Sequence, residues 1–381
     1  GGCAALRAAE DEALAENVLW LLWGLTDEEA AEAEVRAHGG IASICASITR
    51  STKPEFLERA CMLLVEVAAN RSPRRAAAEP PAAAVGGLEE LVEVLCSHPD
   101  RAVVKAAVVA VSRVVEGRPS TQEAAVAASA HLPLFALLGN AGVPEDVKVW
   151  SVLALVRLCG QPTCRPALHI AGAQGLLLQY MAAPGAKGGV AAATGAALLA
   201  GGLDGGEMPP GLEAAVQCIA ERLGGRLGPP QPSWTLHLED FVGALAAAAS
   251  RAGPARAAVE AMAAPHLAAV LGRVAPAGLP EDEAAANECR ADAALALLHI
   301  SYETEHHDAL KVAGVAKAAR HHMASPHPRL RDLSRGLLAQ LGEWRPKGGP
   351  GRGGPPSRGG SRGGRGETFV IPEDYDVYVS Q

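Results

Sequence analysis

Aromatic residues are scarce in this chain. Phe, Trp and Tyr make up 3% of 381 residues, although 49% of the residues are hydrophobic. Interior packing must therefore rest on Ala and short aliphatic side chains, which suits thin helices stacked on their neighbours. Long apolar runs are absent as well. Gly, Pro or a charge interrupts every stretch before it reaches the length of a membrane span, so no membrane contact is expected. The eight cysteines, at 3, 45, 61, 96, 159, 164, 218 and 289, show no disulfide-framework spacing, and most fall at core-like positions. That pattern points to a reducing compartment. The chain opens Gly1-Gly2 without Met and reads as a fragment or a processed product, so the lack of a targeting signal carries little weight.

Catalytic and metal signatures are missing too. The histidines crowd late in the chain (His299, His306, His307, His321, His322, His327). Adjacent histidines on a helix diverge, however, and no His-x3-His or Cys-x2-Cys spacing accompanies them. Cys159 and Cys164 have no second pair. Pro184 to Gly189 contains Gly and Lys but neither the full P-loop pattern nor a preceding strand. No Ser-His-Asp, kinase or dinucleotide motif appears. The expectation is a non-enzyme without cofactor or metal.

What is present is a repeated unit. From Ala33 the chain runs through a short apolar-periodic segment to His38-Gly39-Gly40. An amphipathic run, Ile41 to Ile48, follows, then a polar turn with Pro54 and a longer amphipathic helix, Glu55 to Asn70. Gly at a helix end supplies the left-handed residue that lets the next helix turn away. Pro suits a first helical turn, where its missing N–H costs nothing. The corner recurs at Val85-Gly86-Gly87, Ala130-His131-Leu132, Ala171-Gly172-Ala173, Pro210-Gly211-Leu212, Pro265-His266-Leu267 and Ala313-Gly314-Val315. Long third helices are predicted over 99–115, 144–159, 189–202, 236–251, 283–301 and 328–341, with an extra one over 16–26. The spacing is about 45 residues, within the range of helical repeats.

Pro54-Glu55-Phe56 through Met62 to Ala68, and Pro144 to Val147 through Leu153-Ala154-Leu155, resemble the third helix of armadillo repeats. The resemblance covers roughly residues 16–342 on the repeat-period criterion. It implies an all-α, right-handed α-solenoid of about seven armadillo-like three-helix repeats; the Gly/Pro/Ser-rich composition after Trp344 adds a disordered C-terminal tail. The expected divisions are a partial N-terminal repeat over 1–32, the repeat domain over 33–344, an Arg/Gly-rich linker over 345–366 and an acidic-aromatic linear motif over 367–381. Within the domain, the almost purely Ala/Gly helix 189–202 is expected to be locally unstable and to act as a hinge. Residues 224–232 should form a loop, Ser233 should cap the next helix, and a further loop should span 275–280.

The resemblance also implies a concave groove lined by third helices. Nuclear-import adaptors of this family hold basic peptides there with a Trp and an Asn one turn apart. At the Trp-equivalent place this chain has Trp20, Met62, Val109, Leu153, Leu295 and Gly336. At the Asn-equivalent place it has Gly24, Glu66, Arg113, Arg157, His299 and Gln340. Only Trp20 matches, so the import-adaptor ladder is absent. Arg113 and Arg157 should neighbour each other and would favour a carboxylate-bearing peptide, unless acids such as Glu116 or Asp146 pair with them. The candidate partner groove is Trp20, Met62, Glu66, Val109, Arg113, Leu153, Arg157, His299 and Gln340.

The net charge of −8 hides a split. Residues 345–366 carry six basic residues and no acid, and residues 367–381 carry four acids and no base, which leaves −10 on residues 1–344. Arg352, Arg358, Arg362 and Arg365 lie in an RGG-like background that resembles RNA-contacting boxes. Tyr375 and Tyr378 sit in the terminal acidic motif, which could fold back on Arg113 and Arg157. The leading expectation is a protein-interaction scaffold or adaptor for an extended or acidic peptide. RNA association through the tail is the second. The third is an armadillo helper of ubiquitin ligation or chaperone exchange whose extra module would precede Gly1. Repeat type and composition suggest the cytoplasm or nucleus, with cilia as a further setting by analogy.

Overall fold

The computed structural model describes residues 2–8, 12–25, 34–68, 87–116, 119–201, 209–225, 236–251, 254–272 and 283–344. Among them every regular element is a helix. Contacts divide the chain into two compact units, one of residues 1–202 with 231–236 and one of residues 203–230 with 237–381.

The first unit contains α1 (Gly2–Ala8), α2 (Glu12–Leu25), α3 (Gly40–Arg50), α4 (Pro54–Ala68), α5 (Leu88–Ser97), α6 (Arg101–Val114), α7 (Pro119–Ala127), α8 (His131–Gly139), α9 (Glu145–Gly160), α10 (Arg165–Ile170), α11 (Ala173–Met181) and α12 (Gly189–Ala200). The long helices α2, α4, α6, α9 and α12 pack in that order, each on the next. Second helices α3, α5, α8 and α11 form a parallel row. The second unit contains α13 (Leu212–Gly225), α14 (Leu238–Ser250), α15 (Pro254–Leu271), α16 (Glu283–Ser301), α17 (His307–Val312), α18 (Val315–Arg320) and α19 (Pro328–Gln340). There α14, α16 and α19 make the long-helix row. Each unit is thus an α-solenoid stack in which a repeat buries its apolar faces against its neighbours.

Local chemistry explains the helix boundaries. Gly39, Gly87, Gly172, Gly211 and Gly314 all take the left-handed conformation at their corners. At Gly87 (φ 100°) a Cβ would also lie 2.6 Å from the Ala42 backbone nitrogen, so the corner needs Gly for space as well as for φ. The Ala130 corner has no Gly, and Ser129 takes φ 60° instead. In α3, Ile41, Ile44, Cys45 and Ile48 are buried, one helical stripe. Asp100 caps α6 by accepting from the Ala102 N–H at 2.7 Å.

A second device repeats along the chain. Near the start of a repeat, a polar side chain caps the carbonyl end of the preceding third helix. Gln122 donates to Val115 O at 3.0 Å, Arg165 to Cys159 O at 2.9 Å and Arg256 to Ala249 O at 3.1 Å, and His307 Nε2 lies 2.7 Å from Ser301 O. These contacts give hydrogen-bond partners to carbonyls at helix C-termini, which lack an intrahelical one.

Three expectations are corrected. No corner forms at Pro265, because α15 runs through it. Ala263-Ala264-Pro265-His266 offers no residue that enters the left-handed region cheaply, whereas the φ of Pro is helical, so the chain gives up one hydrogen bond and continues. The predicted loop at Gly224 begins later, since Gly224 and Gly225 end α13. Helix α14 starts after His237 rather than near Ser233, and the Asp240 carboxylate accepts from the His237 N–H at 2.8 Å. The α12 segment 191–200 is buried throughout. Its small residues permit close approach, for a Cβ on Gly195 would sit 3.0 Å from Leu177 Cδ1 and 3.1 Å from Val156 Cγ2. The third-helix ends at 69 and 70, the remainder of the predicted loop at 226–232, Ser233 and the loop at 275–280 fall outside the described residues, as does the tail.

Candidate functional site

The third-helix face of the first unit changes character along its length. On α2 and α4, Trp20 is 52% exposed and Met62 51% exposed. Between the helices lies an apolar recess of about 190 Å³, lined by Leu19, Trp20, Trp23, Arg59 and Met62. The Arg59 guanidinium lies 4.8 Å from the Trp20 ring centroid and pairs with Glu16. That contact combines cation–π attraction with a charge-assisted hydrogen bond. Glu66 is half-buried one turn beyond Met62.

On α6 and α9 the equivalent positions are closed. Val109 is 9% exposed and Leu153 2%, so both belong to the core. Three cross-links run from α6 to α9. Lys105 pairs with Asp146 at 2.6 Å. Arg113 lies 5.4 Å from the centroid of the Trp150 ring. Arg157 bonds Glu116 at 2.6 Å and the Ser112 hydroxyl at 2.6 Å. Glu116 also holds Arg113 at 3.3 Å. The two arginines are brought together as expected, but Glu116 already supplies the carboxylate that an acidic peptide would bring. Sequence reading missed Trp23, Arg59, Ser112 and Trp150. The available signal was the repeat period: Arg157 stands 45 residues after Ser112 and 41 after Glu116.

In the second unit the long helices are tied in the same way. Arg329 on α19 bonds Glu288 and Asp292 on α16, both at 2.6 Å, and His327 reaches Glu288 at 2.9 Å. Burial raises the Asp292 carboxyl above its ordinary range, with Arg329 opposing. His299 stands edge-on to Tyr302 with ring centroids 6.2 Å apart, and Gln340 is half-buried near the end of α19. His306 has carboxylates on both ring nitrogens, Glu260 at 2.9 Å and Glu303 at 3.1 Å, and Arg256 holds Glu303 at 2.9 Å. Glu303, Glu305 and His306 bring potential metal-ligand atoms within 4.8 Å of one another. With both nitrogens and Glu303 engaged inside the protein, the cluster acts as a clamp between α15 and the turn after α16.

Burial disfavours the thiolate form of Cys45, Cys61, Cys159, Cys164 and Cys289. Burial pushes Cys61, Cys159 and Cys289 up to about 12 and Cys164 to about 11. No helix of the described residues is long and apolar enough to cross a membrane. Arg352, Arg358, Arg362, Arg365, Tyr375 and Tyr378 lie outside the described residues.

No protein-family model matches the chain, and no curated protein matches it. Among solved structures it is similar to an engineered protein from the Northeast Structural Genomics Consortium, at 21% identity with a TM-score of 0.60, over 89% of this chain and 77% of that one. A designed armadillo repeat protein matches at 19% identity with a TM-score of 0.35, over 80% of this chain and 99% of that one. Another designed armadillo repeat protein, in complex with the peptide (KR)4, matches at 18% identity and a TM-score of 0.34, over 80% of this chain and 98% of that one. The first likeness speaks to fold alone, and the other two superpose too loosely to bear on function. By the order, lengths and stacking of its helices, the chain is an armadillo-like, all-α repeat protein.

Proposed function

We propose that the chain is a non-catalytic protein-interaction scaffold that receives an extended peptide on the third-helix face of α2 and α4. One observation carries the reading. An almost entirely apolar recess stays open to solvent on a face whose equivalent positions one and two repeats after Met62, Val109 and Leu153, are buried. Apolar concavities holding a few aromatic side chains are where interfaces concentrate their binding energy. The ion-paired face of α6 and α9 supports positioning rather than capture, since its cations already have partners.

The test is selection from a library of random extended peptides, each a dozen residues long, on the purified chain. A parallel selection uses the Trp20→Ala/Met62→Ala variant. Peptides that enrich on the native chain and fail on the variant support the reading. Enrichment on both alike, or on neither, contradicts it.

A further inference from the structure

The recess between α2 and α4 has room for roughly one large side chain and a rim of mostly one charge sign. Its volume is about 190 Å³, and Arg59 is the only charged residue among the five that line it. That guanidinium is already stacked on Trp20 and paired with Glu16, so it offers little free charge to a ligand. Two of the chain's five Trp residues, Trp20 and Trp23, border this one cavity. In a chain so poor in aromatics, that concentration marks an anchor pocket.

The rim follows from helical spacing. On α4, Glu55 and Glu58 are exposed and Glu66 is half-buried. They lie seven before, four before and four after Met62, and so share its side of the helix. Among the described side chains α2 and α4 carry four acids (Glu16, Glu55, Glu58 and Glu66) and one base (Arg59); Glu16 and Arg59 pair with each other, which leaves a net −3 from the other three acids, all on α4. Exposed ion pairs at such a rim add little affinity each, but they select the sign of the partner and steer its approach.

We infer that the recess takes one large apolar side chain, aromatic or long aliphatic, from an extended peptide that carries Lys or Arg within a few residues of that anchor. This rests on the reading above of the α2/α4 face as the binding surface, and adds the chemistry of the occupant. The anchor supplies most of the affinity and the flanking cations the selectivity. Binding should therefore weaken with salt while keeping its dependence on Trp20 and Met62.

The probes are three fluorescein-labelled peptides, tested by anisotropy on the full 381-residue chain. The first is Gly-Lys-Arg-Gly-Phe-Gly-Arg-Lys-Gly. The second replaces its Phe by Ala. The third replaces every Lys and Arg by Glu. The expected result is that the first binds and each of the others binds at least about tenfold more weakly, the size of effect that one anchor residue carries. Met62→Gln, a change at a half-exposed site, should cost the first peptide about tenfold with the circular dichroism unchanged. Glu55→Lys/Glu58→Lys should weaken the first peptide and strengthen the third. Equal binding of the first two peptides, preference for the third, or no binding of the first overturns the inference. Library peptides that depend on Trp20 but lack a basic flank would sink this chemistry and leave the scaffold reading intact. If no library peptide depends on Trp20, both fall.

Discussion

Trp20 and Met62 stand at the same place on their helices as Val109 and Leu153, yet the first two are half exposed and the second two are core. Long side chains account for the difference. On α6 and α9, Lys105, Arg113 and Arg157 reach across to Asp146, Trp150 and Glu116, and the shorter residues between them in sequence are buried. On α2 and α4, Arg59 reaches back over Trp20 and pairs with Glu16, and an apolar gap is left beside it. A repeat position therefore has no fixed role. Its neighbours one period away decide whether it is groove or packing.

The sharpest way to break this comparison is to truncate the equivalent residues. Leu153→Ala should cost about 2–5 kcal/mol, the range for a buried Leu. Met62→Ala, half exposed, should cost under about 1 kcal/mol. Urea unfolding of the two variants compares them directly. Similar losses would mean that Met62 is core as well.

Next come the cross-links. The Arg157 side chain is 14% exposed and bonds both Ser112 and Glu116, so Arg157→Ala should lower stability by about 2 kcal/mol. Glu116→Gln should cost less, because Glu116 is one-third exposed. It should also release two cations and create measurable binding of a Glu-rich peptide where the native chain shows none. An unchanged response to that peptide would show that Glu116 is not what closes this face.

Two glycines of long helices extend the contrast at smaller scale. Gly195→Ala must crowd Leu177 and Val156 and should destabilise by about 1 kcal/mol. At Gly243, on α14, a Cβ would meet nothing within 4 Å, so Gly243→Ala should stabilise by about 0.5–1 kcal/mol through helix propensity. Thermal melts should shift in opposite directions.

The smallest effect is a difference in pH dependence. The hydrogen bond from Lys105 holds the Asp146 carboxyl below the usual carboxylate range, so its contribution is present at neutral pH and lost on acidification through that range. Burial raises Asp292 despite Arg329, so its contribution is present below the ordinary carboxylate range and lost as pH rises. Between about pH 3 and 5, Asp146→Asn and Asp292→Asn should change the slope of stability against pH with opposite signs. Slopes of the same sign would show that one pair has been misassigned.

Much of the fold was legible because Gly and Pro mark it. Glu283–Ser301 was bounded to the residue, and most other third helices to within two. At Pro265 the same signals misled, since Pro without Gly can sit inside a helix as well as end one. The site was less legible. Trp20 and Met62 were found from their register alone, and so were Val109 and Leu153, which are core. Exposure depends on Arg59, Trp150, Ser112 and Glu116, which contact residues about one repeat period away. Pairing charges at that spacing would have found Arg157 with Glu116 and Arg329 with Glu288, both 41 residues apart. A recess, however, is the gap left beside such a bridge, here beside Arg59, and periodicity does not show it.

The most direct test measures the affinity of one library-selected peptide on two folded variants side by side, Trp20→Ala/Met62→Ala and Arg113→Ala/Arg157→Ala. A loss of at least about tenfold in the first and little change in the second is the predicted result. Retained binding in the first with loss in the second would contradict the account, moving the binding surface to the ion-paired face of α6 and α9.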